Sequence, residues 1–143
     1  MPIYEVQLTP DVLRRGGPIF PIEVSLPQTL ADYLTKQGVP VPPSIKGNAL
    51  VDSGASISAV DLSVISSLQI SPVGVATIST AAGSVQRDLY PARFILPHLV
   101  AEFETVIGAD LRPQGLVALI GREFLSRFLM IYHGNAGRVI LAF

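Results

Sequence analysis

Apolar positions in this chain come in short runs cut by glycine, proline and small polar residues, and few of them keep the helical period. Residues 3–8 alternate imperfectly and read as an edge strand. Arg14-Arg15-Gly16-Gly17 reads as a turn, followed by a second strand over 19–26 that Pro21 confines to an edge or a bulge. Leu30, Tyr33 and Leu34 fall at helical spacing, with Thr29 as the cap and Gly38 as the stop. Val39-Pro40-Val41-Pro42-Pro43 is a stiff, extended connector. The sequence has no internal repeat, and its first third reads as scaffold.

From Lys46 the pattern carries more information. Residues 49–52 form a strand that ends on an acid, and 57–60 lead away from it. Asp61 caps a short helix running to Leu68, with Leu62, Ile65 and Leu68 on one face. Two strand-like runs, 73–80 and 85–96, are joined by Ala81-Ala82-Gly83-Ser84, small residues that suit a mobile hairpin tip presenting backbone. Residues 100–107 make another strand, 108–115 a loop, and 116–121 an apolar strand ending in glycine. Arg122 then opens a helical run, Glu123-Phe124-Leu125-Ser126-Arg127-Phe128, before a closing apolar strand over 138–143. Tyr90, Phe94 and Phe103 sit within strands and read as core. The fold class is mostly β.

Composition narrows the choice. At 143 residues one domain is expected, large enough to bury a core without disulfides or metal. Hydrophobic residues make up 49% and charged residues 15%, so much apolar surface has to be hidden, part of it in a subunit interface. The apolar end Val139-Ile140-Leu141 is the expected contributor. A net charge of −1 and the lack of a basic run argue against a nucleic-acid partner. The absence of cysteine removes thiol catalysis, disulfides and thiolate metal sites together. His98 and His133 have no ligand spacing to each other or to the acids, so neither a metal nor a cofactor is expected. There is no Gly-x-Ser-x-Gly elbow, and Gly16-Gly17 lacks the Lys-Ser/Thr of a phosphate loop. No apolar run reaches the ~18–20 residues that span a bilayer, and the start lacks a signal pattern. A soluble protein, cytoplasmic by default, is the expectation.

The chemistry concentrates in Ala49-Leu50-Val51-Asp52-Ser53-Gly54-Ala55-Ser56. A carboxylate at the end of an apolar strand is costly to bury unless neighbours hold its charge or share a proton with it. Gly54 lets the chain turn tightly and brings an amide toward the acid, and Ser53 adds a donor and acceptor in the turn. Asp-Ser-Gly is also ordinary turn chemistry. The apolar approach on both sides, and the later Leu119-Ile120-Gly121-Arg122, set it apart from a surface turn.

These two motifs, in this order and followed by a short helix and a terminal apolar strand, resemble the retropepsin-like aspartic proteases. The resemblance covers about residues 45–143. It implies a closed β-barrel of the acid-protease type with one or two short helices and a flap hairpin. The whole chain, 1–143, would be a single domain, with 1–43 an N-terminal extension of edge strands and a short helix, and 44–143 the catalytic core. Asp52 would be catalytic, supported by Ser53, Gly54 and Ala55, with Ser53 bonding across a two-fold axis and Gly54 lining the cleft. Thr80, Ala81, Ala82, Gly83 and Ser84 would form the flap over the substrate. Gly121 would permit close packing, and Arg122 would anchor the helix to the active-site loop or to the partner subunit. The family often has an acid just after the Ala as a partner for this arginine. Ser56 stands there instead, so Asp61, Asp88 or Asp110 is expected to substitute, and Glu123 replaces the more usual Asp or Asn.

Catalysis of this kind needs two carboxylates sharing one proton, and the chain has one Asp-Ser-Gly motif. The expected protein is therefore a homodimer, an aspartic endopeptidase cutting extended polypeptides with apolar side chains beside the bond. Its dyad would titrate as a unit, with an acid-to-neutral optimum. The other reading is an inactive retropepsin-like domain used for peptide binding or dimerisation.

Overall fold

The computed structural model describes residues 2–143. Among the described residues ten strands, interspersed with four short helices, form a seven-stranded and a three-stranded sheet. The large sheet holds β2 (Ile19–Ser25), β3 (Ile45–Val51), β4 (Ala59–Asp61), β5 (Gly74–Thr80), β6 (Gly83–Leu96), β7 (Leu99–Ala109) and β8 (Ala118–Ile120). Its order is β2-β3-β8-β4-β7-β6-β5, and β2 also pairs with β6, through Glu23 to Ile95, Val24 to Phe94 and Ser25 to Arg93. That last pairing closes the sheet into a barrel. The mostly β, closed-barrel class expected from the sequence is the one observed.

Alternation decides which side chains fill the barrel. In β2, Phe20, Ile22 and Val24 are buried while Pro21 faces out, and in β6 Tyr90, Ala92, Phe94 and Leu96 are buried. The first half of β6 behaves differently, because its residues and those of β5 are largely exposed on both faces. There the two strands leave the barrel as a hairpin, in register from Gly74–Leu89 to Thr80–Gly83.

The small sheet has the order β1-β10-β9, all antiparallel, from β1 (Ile3–Gln7), β9 (Leu129–His133) and β10 (Arg138–Ala142). Tyr4 ties it to the barrel by packing edge-on against Phe20 at 4.8 Å and donating from its hydroxyl to the Pro21 carbonyl at 2.9 Å. A chain of aromatic contacts, Phe94–Phe103–Phe124–Phe128–Phe143, ties it a second time, with centroids 4.6–5.9 Å apart.

Several local expectations change. Arg14-Arg15-Gly16-Gly17 is not a free turn but the end of helix α1 (Pro10–Gly16). Thr9 caps that helix, Pro10 opens it, and Gly17 leaves it at φ +78°. The next helix, α2 (Gln28–Lys36), starts after Pro27, so Thr29 lies inside it and is not its cap. Asp61 does cap α3 (Leu62–Ser67), but Leu62 stays exposed and Val64 packs inward beside Ile65 and Leu68. Gly108 and Ala109 finish β7 and are not loop residues. The helix opened by Arg122, α4 (Arg122–Leu125), is a single turn, and β9 follows it where the sequence reading had no element. Val139 and Leu141 are buried in the chain's own core, and the exposed apolar side chains of this sheet are Ile3 on β1 and Leu129, Ile131 and Tyr132 on β9.

Candidate active site

Strand β8 lies between β3 and β4, parallel to the first and antiparallel to the second. Residues 52–58 therefore have to leave the end of β3, arch over the end of β8 and return as β4. Gly121 sits beneath that arch. A Cβ there would lie 2.7 Å from the Ile57 carbonyl carbon and 2.9 Å from its oxygen, so the crossing requires glycine.

Asp52 is the first residue of the arch and is half-buried. Its amide donates to the Ile120 carbonyl at 2.9 Å, which continues the β3–β8 ladder to the acid itself. Its Oδ1 accepts the Gly54 amide at 2.9 Å, and its carbonyl accepts the Ala55 amide at 3.1 Å. The carboxylate is thus oriented by its own turn, as an Asx turn does. A Cβ on Gly54 would come within 3.1 Å of Oδ1. Ser53 and Gly54 are exposed and Ala55 is half-buried.

The arch is pinned to the segment below it at several points. The Arg122 amide donates to the Ala55 carbonyl at 2.8 Å, and the Arg122 Nη1 to the Ser53 carbonyl at 2.8 Å. Ser58, fully buried, accepts the Gly121 amide on its hydroxyl at 2.9 Å and the Ile107 amide on its carbonyl at 2.9 Å. The Ser58 amide donates to Glu123 Oε1. Glu123 Oε2 is buried and takes no partner among the described residues. None of the acids suggested as partners for Arg122 reaches it. Asp61 accepts from Ser63 and Leu111, Asp110 pairs with Arg112 at 2.9 Å, and Asp88 lies on β6. The guanidinium is held by a backbone carbonyl instead.

Asp61 is the acid most completely enclosed, at 2% exposed. Burial pushes its carboxyl up, but the bonds from the Ser63 hydroxyl, the Leu111 amide and the Ser63 amide outweigh that and hold it below the usual aspartate range. With its oxygens taken up in this way, it caps α3 and serves no open site.

The structure brings Asp52, Ser53, Gly54, Ala55, Gly121 and Arg122 together in one hydrogen-bonded unit. Thr80, Ala81, Ala82, Gly83 and Ser84 stand at the free end of the β5–β6 hairpin, where Thr80 Oγ1 donates to the Gly83 carbonyl at 2.6 Å and Gly83 has φ +116°. Among the described residues no hydrogen bond joins this tip to residues 52–58. A cavity of about 570 Å³ lies elsewhere, between β2, β3 and the end of β6. Among the described residues no cluster of His, Cys, Asp and Glu is placed to hold a metal ion, and no helix is long and apolar enough to cross a membrane. Ser58 and Glu123 are the site residues the sequence reading did not assign. Ser58 had the signal of a serine set in an apolar run, and Glu123 that of an acid two positions after a buried glycine.

A barrel of this topology, with an acid on an arch over the neighbouring strand, is the fold of the retropepsin-like aspartic proteases. A retropepsin-like aspartic protease from Rickettsia conorii superposes with a TM-score of 0.50 at 20% identity, covering 98% of this chain and 91% of that one. The protease of EIAV, solved in complex with the inhibitor HBY-793, superposes with a TM-score of 0.52 at 17% identity, covering 77% of this chain and 86% of that one. No protein-family model matches the chain, and no curated protein matches it.

Proposed function

We propose that the chain is an aspartic endopeptidase that works as a homodimer, with Asp52 of each copy contributing one carboxylate to a shared dyad. The observation that carries this reading is the placement of Asp52. It is a lone acid at the tip of an apolar strand, oriented by Gly54 and braced from Ile120, with no second Asp-Ser-Gly in the chain to complete a pair. Two carboxylates facing across an axis hold one proton between them, because both cannot ionise at close range. The ionised one takes a proton from a water, and the oxygen of that water attacks the scissile carbonyl carbon. The protonated one gives its proton to the carbonyl oxygen. Collapse of the tetrahedral intermediate breaks the C–N bond, and the amine leaves with a proton from the dyad. Ser53 would brace the pair across the axis, Gly54 and Ala55 would line the floor, and residues 80–84 would close over an extended substrate as a flap.

The exposed apolar edge of β9 is the surface that would carry the second copy. Its exposed Leu129 and Ile131 share one face of a strand whose other edge is already paired to β10, and Tyr132 lies on the opposite face. Poisoning by a dead partner tests the shared site. Wild-type protein equilibrated with a tenfold excess of Asp52→Asn protein should lose roughly nine-tenths of its activity, because nearly every wild-type copy then sits in a mixed pair. Unchanged activity in subunit-exchanging mixtures would mean that each copy carries a complete site of its own.

A further inference from the structure

The peptide group between Ile120 and Gly121 is held at both its polar atoms by the two feet of the arch. Its carbonyl accepts the Asp52 amide at 2.9 Å, and its N–H donates to the Ser58 hydroxyl oxygen at 2.9 Å. Residues 52 and 58 are the first and last of the arch, so one peptide plane joins its two ends. Among the described residues, the bond to Ile120 is the one that ties the Asp52 backbone to another element.

Ser58 is fully buried, so its bonds are made within the protein. Its amide is fixed by Glu123 Oε1 from helix α4, and its carbonyl by the Ile107 amide on β7 at 2.9 Å. Glu123 reaches back to the same peptide: a Cβ on Gly121 would lie 2.7 Å from Glu123 Oε2, the oxygen that is buried without a partner. Keeping a carboxylate oxygen in that condition is unfavourable. Apolar side chains of similar volume at positions 58 and 123 would fill the space without that cost. Neither residue is bonded to Asp52 directly.

We infer, on the protease reading above, that Ser58 and Glu123 are positioning residues for Asp52 and act through the Ile120–Gly121 peptide. Hydrogen bonds in series polarise one another. By accepting the N–H of this peptide, the Ser58 hydroxyl makes its carbonyl a stronger acceptor for the Asp52 amide. Glu123 holds Ser58 in place by its amide. With two arches facing across an axis, a small tilt at one foot is repeated in the partner and changes the gap between the carboxylates twice over. The proton they share is sensitive to that gap, because repulsion between two carboxylates grows as they approach.

The test compares Ser58→Ala, Glu123→Met and Glu123→Gln in the full-length protein, at concentrations where the wild type is paired. The first two each remove an acceptor, whereas glutamine keeps the acceptor oxygen and removes only the charge. Should Ser58→Ala not fold, the two Glu123 variants carry the same comparison. Amide hydrogen exchange needs no activity. At Asp52 it should quicken about tenfold in Ser58→Ala and Glu123→Met and stay within about twofold of wild type in Glu123→Gln, with residues 92–96 as protected as before. In cleavage assays, with competent sites counted by a tight-binding transition-state analogue, kcat per site should fall about ten- to hundredfold in the first two while KM moves less than about threefold. The pH limits of kcat/KM should draw together by about half a unit or more, since carboxylates set further apart titrate more nearly alone. The charged groups around the unit are Arg122 on the Ser53 carbonyl and Glu102, Glu104 and Arg127 at the hollow that Glu123 borders, and all three variants keep them. A shift caused by lost charge would therefore appear in Glu123→Gln too, and one caused by lost positioning would not. A variant that is merely destabilised loses titratable sites and leaves kcat per site and the pH limits unmoved. Unchanged exchange at Asp52, unmoved pH limits in an active enzyme, or a Glu123→Gln that behaves like Glu123→Met overturns the inference. Faster exchange at Asp52 with a wild type that cuts nothing would uphold the link from Ser58 to Asp52 and count against the protease reading alone.

Discussion

Asp52 and Asp61 show how one residue type takes two roles through its neighbours. Both stand at a strand end beside a serine two positions or fewer away, yet Asp61 is enclosed and fully bonded while Asp52 keeps a free edge. Because the Asp61 carboxyl is held below its unfolded value, its ionised form stabilises the fold above the ordinary aspartate range, and that contribution is lost as the pH falls through the lowered folded value. Asp61→Ala should therefore cost about 1–3 kcal/mol at pH 7, with the gap to wild type shrinking in melts run at progressively lower pH. Gly121→Ala should cost a similar ~1–3 kcal/mol and lower the melting temperature by several degrees, because its methyl meets the Ile57 backbone, which cannot swing aside as the Glu123 carboxylate it also meets could. Activity should fall with it, since the arch that would shift carries Asp52. The acid and its glycine were legible in the sequence because an apolar strand running into Asp-Ser-Gly is chemically distinctive. The partner of Arg122 was not, since a backbone carbonyl leaves no mark in residue identity, and Ser53 offers one wherever the arch passes close.

The elements divide in the same way. The hairpin of β5 and β6 was readable from two strand-like runs around small residues, although the turn itself is shorter than expected, with Thr80 and Gly83 already paired. Helix α1 was missed because Val12 and Leu13 form no periodic stripe, even though Thr9-Pro10 and Gly16-Gly17 mark its two ends. β9 was hidden behind the helical spacing of residues 123–128, which tertiary packing of Phe124 and Phe128 cuts to one turn. The distal hairpin has little apolar area holding it down, whereas the second half of β6 is paired on both sides and buried. Hydrogen exchange should accordingly run far faster over residues 77–86 than over 92–96. Comparable protection in the two segments would remove the basis for a mobile flap.

The molecule as a whole is closed except at its rim. Pairing of β2 with β6 removes two edges from the barrel, and β10 is covered on both sides by β1 and β9. That closure was not readable, because register between strands seventy residues apart depends on the whole barrel and not on any local run. The open edges left are those of β5, β1 and β9, and β9 carries exposed Leu129, Ile131 and Tyr132. If copies associate there, Ile131→Lys should weaken dimerisation at least tenfold in sedimentation equilibrium while leaving the thermal melt within a few degrees of wild type.

The most direct measurement is cleavage of a mixed peptide library from acid to neutral pH, comparing wild type with Asp52→Asn at several protein concentrations. An aspartic protease with a shared dyad should cut, lose all cutting on that substitution, and gain specific activity as concentration drives pairing. Cleavage that persists in Asp52→Asn would contradict the assignment of the acid, and a folded, dimeric wild type that cuts nothing would leave a peptide-binding or dimerisation module in its place.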